Sequence, residues 1–142
     1  MTEDPVIFAG LSQTPLDLVR AEAEVWASTA GAVVVFSGIV RNHDAGLSVD
    51  RLSYTAHPSA EKVLHQAAEE TAAAHPEVRL WVSHRIGELH IGDHALVASC
   101  ASAHRAEAFA ACADLVENVK KSVPIWKEQF YSDGTKSWVG LP

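Results

Sequence analysis

Gly31 to Val40 runs G-A-V-V-V-F-S-G-I-V. It is too short and too rich in β-branched residues to favour a helix, so it is expected as a buried strand ending at Arg41. Working outward from it, Thr14 followed by Pro15 marks a helix start, and Leu16, Leu18, Val19, Ala23 and Trp26 continue it to the Gly31 break. On the other side, N-H-D-A-G-L-S (Asn42 to Ser48) is a polar loop with Gly46 free to turn left-handed, and Val49 to His57 is the returning strand.

The same alternation of elements continues down the chain. Pro58 opens a helix whose Ala60, Val63, Leu64, Ala67, Ala68 and Thr71 recur at spacings of three and four, and Pro76 stops it. Val78 to Ile86 is expected as a strand, G-E-L-H-I-G-D as a turn, and Ala95 to Ala101 as the next strand. A third helix is expected from an N-cap at Ser102 to about Ser122, with Ala106, Phe109, Ala110, Ala113 and Val116 as its apolar stripe. Pro124 ends it, Ile125 to Tyr131 is a strand, and Asp133-Gly134 turns into a last strand at Ser137 to Val139. The order αββαββαββ implies an α+β fold with a largely antiparallel sheet and packed helices.

Composition narrows the function classes. With 142 residues, 48 % of them hydrophobic, the chain suits a single domain spanning 1–142. A net charge of −7, from 11 Lys and Arg against 18 Asp and Glu, argues against nucleic acid as a partner, because backbone phosphates need a broad basic face. Cys100 and Cys112 are expected as buried thiols. Met1-Thr-Glu-Asp-Pro carries no export signal, and no apolar run approaches the roughly 20 residues of a membrane span, so a cytoplasmic, soluble protein is expected.

Against this acidic background, K-K-S-V-P-I-W-K (Lys120 to Lys127) gathers three ammonium groups around one proline. The proline bend can aim Lys120 and Lys127 into one concavity, where mutual repulsion and partial burial would make a better base or amine nucleophile. The alternative is a solvated helix end, where lysines complement the dipole. His104-Arg105 at the start of the third helix opposes the dipole and is either solvated or set against an anion. Arg41, at a strand end before a Gly-containing loop, offers another cation. His84, His90, His94 and His104 do not suggest a metal, because the H-x-x-x-H spacing of His90 and His94 falls in a turn rather than on a helix.

Taken in order, F-S-G-I-V-R-N-H (Phe36 to His43), H-R-I-G-E-L (His84 to Leu89), S-A-H-R (Ser102 to Arg105) and K-K-S-V-P-I-W-K (Lys120 to Lys127) resemble the catalytic large subunit of molybdopterin synthase. The resemblance implies an α/β hammerhead-like fold and a homodimer flanked by two copies of a small ubiquitin-like sulfur-carrier subunit. The carrier's C-terminal Gly-Gly thiocarboxylate would enter the active site and sulfurate cyclic pyranopterin monophosphate to the molybdopterin dithiolene, with no metal or cofactor needed for the step. It further implies Lys120 and Lys127 as the catalytic lysines, Arg41, His104 and Arg105 as anion and substrate contacts, and Phe36 as an aromatic wall. On its own strand, Phe36 is equally well a core residue. Some relatives carry a lysine where Ile39 stands, and relatives usually continue beyond the last strand with a basic tail, whereas this chain stops at Pro142. Competing readings are a non-enzymatic binding module for a phosphorylated small molecule and a scaffold that recruits a partner on a strand edge.

Overall fold

A computed structural model of the chain describes residues 4–139; the expectations for the first residues and for the end at Pro142 lie outside them. The described elements are β1 (Val6–Ser12), α1 (Leu18–Val25), β2 (Ala32–Ile39), β3 (His43–Asp44), β4 (Leu47–Ala56), α2 (Ala60–Ala74), β5 (Arg79–Arg85), β6 (Gly87–His90), β7 (His94–Ser102), α3 (Arg105–Ser122), β8 (Ile125–Tyr131) and β9 (Lys136–Val139). They form the expected α+β fold, largely antiparallel, with one parallel pair, β1 on β5.

One sheet has the order β1-β5-β7-β2. Its strands are apolar on both faces because helices cover both. Leu80 and Val82 of β5 join Leu64 and Ala68 of α2 and Leu115 and Val119 of α3, while Trp81 between them joins Ala21 and Val25 of α1. That is the period-two alternation of a strand with two cores to serve. Two polar groups inside this arrangement tie its elements together: Ser99 Oγ donates to the Ala21 carbonyl at 2.8 Å, and Asn118 Nδ2 donates to Thr71 Oγ1 at 2.8 Å, linking α3 to α2. The second sheet has the order β3-β4-β8-β9 with β6 also on β4, and Val40, Leu52, Leu89 and Ala95 form a smaller core where the sheets meet. Among the described residues no helix is long and apolar enough to cross a membrane.

Several local expectations are corrected. Strand β1 was not anticipated, and G-E-L-H, expected as turn, is β6, paired with β4 from Arg51↔His90 to Tyr54↔Gly87. Helix α1 starts later than Pro15: Asp17 caps it, its Oδ1 accepting from the amides of Val19 at 2.9 Å and Arg20 at 3.3 Å. The cap of α3 is His104, not Ser102, which closes β7 and donates its hydroxyl to the His104 carbonyl. The expected stripe of α3 is rotated: Ala108, Ala111, Cys112, Leu115, Val116 and Val119 are buried, whereas Phe109 is 61 % exposed. Strand β2 is half-buried rather than buried, because it is the outer strand of its sheet. Gly31 admits a close approach: a Cβ there would lie 2.7 Å from the Ala103 carbonyl oxygen, so a glycine lets the chain before β2 pass against the segment that carries His104. Both cysteines are free and buried, as expected.

Candidate active site

Lys120 and Lys127 meet. Helix α3 ends at Ser122, Val123 N donating to the Val119 carbonyl at 3.0 Å, and Pro124 prevents another turn. The Pro124 carbonyl accepts from His57 N at 3.0 Å, which fixes the reversal against the end of β4. Strand β8 then runs back beneath the helix end. The result is a hollow of about 230 Å³ lined by Lys120 from α3, Lys127 from β8, Tyr54 from β4, His84 from β5 and Val139 from β9. The register explains the company: Tyr54 and Val139 are the two cross-strand partners of Lys127. His84 stands edge-on to Tyr54, ring centroids 5.0 Å apart, which joins the two sheets at the hollow.

The electrostatics suit an anion. Burial lowers the Lys127 pKa first of all, and the charges of Lys120 and Arg41 lower it further, while Asp44 opposes them. Asp44 is the counter-charge that lets the cations stay together. Its carboxylate accepts from Gln129 Nε2 at 2.8 Å and pairs with Arg41 Nη2 at 3.4 Å. The Gln129 hydrogen bond, followed by the charges of Lys127 and Arg41, holds its pKa below the ordinary aspartate value. Should Lys127 act as a proton donor, that activity fades as pH rises through its lowered pKa. Asp44→Asn removes the anion that opposes the lowering, so the alkaline limb of the pH–rate profile is expected to move to lower pH; a limb left in place would show that Asp44 does not set it.

The other expected site residues lie elsewhere in the chain. Arg41 stands at the exposed edge of the same region, coupled to Lys127 through Asp44. His104 and Arg105 are exposed at the far end of α3, fifteen residues from Lys120, which is about 22 Å at 1.5 Å per residue. Phe36 packs against the main core and lines a separate hollow of about 400 Å³ between β2 and α3, beside Phe109 and Cys112. Within one chain, then, the two lysines and Arg41 converge, and His104, Arg105 and Phe36 do not join them.

Tyr54, His84, Asp44 and Gln129 were not singled out for roles from the sequence. Only His84 had a signal, its place at the head of the H-R-I-G-E-L motif.

A family model described as MoaE protein matches residues 11–122, most of the chain, including Tyr54, His84 and Lys120 of the hollow but ending before Lys127. The chain belongs to the MoaE protein family. Among curated relatives of this MoaE chain, a molybdopterin synthase catalytic subunit from Nostoc sp. is 40 % identical over 129 residues, covering 89 % of this chain and 78 % of that protein. Molybdopterin synthase catalytic subunit 1 of Mycobacterium tuberculosis is 40 % identical over 134 residues, covering 94 % and 90 %. The crystal structure of molybdopterin synthase from Staphylococcus aureus superposes with a TM-score of 0.87 at 34 % identity, covering 93 % of this chain and 96 % of that one.

Proposed function

We propose that this protein is the catalytic subunit of a cytoplasmic molybdopterin synthase, transferring sulfur from the C-terminal Gly-Gly thiocarboxylate of a small ubiquitin-like carrier subunit to cyclic pyranopterin monophosphate. The observation that carries the reading is the convergence of Lys120 and Lys127 on one hollow, next to Arg41. Both reactants bring negative charge to it, a thiocarboxylate and a phosphate, and an acidic protein gathers its cations where such groups must be held. Lys120 serves as the acid/base or transient amine at the carrier carbonyl, and Lys127 as a second proton donor and charge stabiliser.

Arg41, His104 and Arg105 form the anion cradle in this reading, with Phe36 as a neighbouring wall. One chain cannot bring Arg105 to its own Lys120, so the cradle is completed by a second copy. Strand β2 supplies the geometry. Its outer edge is unpaired among the described residues. It runs from Ala32, opposite Ser102 and so near His104, to Ile39, two residues before Arg41. Two such edges pairing antiparallel about a two-fold axis bring the Arg105 end of one subunit to the Arg41 end of the other. Exposed Trp26, Ile39 and Phe109, at 53 %, 53 % and 61 %, supply apolar surface for the same contact.

The reading is tested by incubating the protein with thiocarboxylated carrier and cyclic pyranopterin monophosphate. Formation of the dithiolene product is expected. A non-enzymatic binding module would retain the pterin and leave it unsulfurated.

A further inference from the structure

The lysine hollow contains an acceptor that the reading above leaves without a role. His84 Nδ1 lies 2.7 Å from the Arg85 carbonyl oxygen. A carbonyl can only accept, so the hydrogen of the neutral ring sits on Nδ1 and Nε2 keeps a free lone pair. Burial, reinforced by the Lys120 charge and only partly offset by the Arg85 carbonyl, pushes the imidazole pKa down to about 4. The other titratable groups facing the hollow are Tyr54, whose phenol burial keeps protonated, and Lys127.

We propose that His84 is a positioning residue: its Nε2 is a neutral acceptor for the Lys120 ammonium and aims that nitrogen into the hollow. The choice of group has a physical reason. A carboxylate at this place would also hold an ammonium, but it would cancel the charge that draws anions in and would repel a thiocarboxylate or phosphate. A neutral imidazole orients the lysine without that penalty. Its edge contact with Tyr54, and the hydrogen bond at Nδ1, fix the ring so that Nε2 keeps one direction. The role at the carrier carbonyl rests on the proposed sulfurtransferase function; the orienting of Lys120 by His84, which lines the same hollow, does not.

Three forms test it: the unaltered protein, His84→Gln, which retains an amide oxygen as acceptor, and His84→Phe, which retains the ring beside Tyr54 but accepts nothing. The pH dependence of Lys120 acetylation, resolved by mass spectrometry, reads the lysine without any turnover. An acceptor stabilises the ammonium, so the Lys120 midpoint is expected to fall in His84→Phe and to stay near that of the unaltered protein in His84→Gln. In sulfur transfer, His84→Phe is expected to lose about 10- to 100-fold in kcat with KM little changed, and His84→Gln to recover most of it. An unmoved midpoint in His84→Phe, or equal shifts in both variants, would overturn the proposal. Nitrogen-15 NMR of the unaltered ring provides a check that does not depend on a variant folding: a neutral ring with hydrogen on Nδ1 at about pH 6 is expected, and hydrogen on Nε2 would overturn the assignment. If the midpoints behave as expected and no form sulfurates the pterin, the sulfurtransferase reading fails while the positioning role stands.

Discussion

Lys120→Ala is expected to lower sulfur transfer by about 10²- to 10⁴-fold, the range for loss of a positioned acid–base or nucleophilic group. The fold should barely respond. Lys120 is exposed at the end of α3, and the packing there is carried by Val119 and Val123, so a change within about 0.5 kcal/mol is expected. Paired assays of turnover and thermal unfolding separate the two effects. Normal turnover by the variant with charged carrier would remove Lys120 from the mechanism. A large fall in Tm would instead make the loss of activity a folding effect.

Mixed dimers give the second large effect. If each site takes Lys120 from one subunit and Arg105 from the other, Lys120→Ala and Arg105→Ala homodimers are each impaired in both sites. A dimer containing one of each carries one doubly altered site and one intact site. Random reassortment of the two variants is therefore expected to restore about a quarter of the unaltered activity, since half of the dimers are mixed and each has one working site of two. Sites built within single chains would regain nothing. The 22 Å or so between Arg105 and Lys120 along α3 makes the shared site the arrangement in which both residues can act on one ligand.

The elements that could be read directly from the chain are those with one strong local pattern. V-V-V-F between two glycines could only be a short strand, and Ala60, Leu64, Ala67, Ala68 and Thr71 are buried on α2 as their spacing requires. The failures have physical causes. β1, V-I-F-A-G-L-S, has no alternation because it is covered on both faces, and its parallel partner β5 lies more than sixty residues away. The alanines of α3 leave its phase undetermined, and Phe109, the bulkiest apolar residue, points outward, so periodicity alone selected the wrong face. Ser102 looked like a cap because serine at a helix start normally accepts from the backbone, yet here it donates to a carbonyl.

The site was legible in its cations and not in its other members. Lys120 and Lys127 bracket a proline, a short-range pattern that indicates a bend. Tyr54 and Gln129 reach the site through β-pairing across more than seventy residues, and Asp44 through the two-residue strand β3, too short to leave a pattern in the sequence. That Arg105 stands a helix length away from Lys120 follows from the length of α3, which the sequence already contained, both residues being expected on that one helix.

The most direct test of the account is where the carrier's last residue comes to rest. A zero-length carbodiimide coupling of the uncharged carrier's C-terminal carboxylate to this protein, followed by peptide mapping, is expected to give isopeptide bonds at Lys120 or Lys127 that excess phosphate suppresses. Coupling at Lys62 or Lys136 with none in the hollow would contradict the claim that these two lysines receive the carrier's tail.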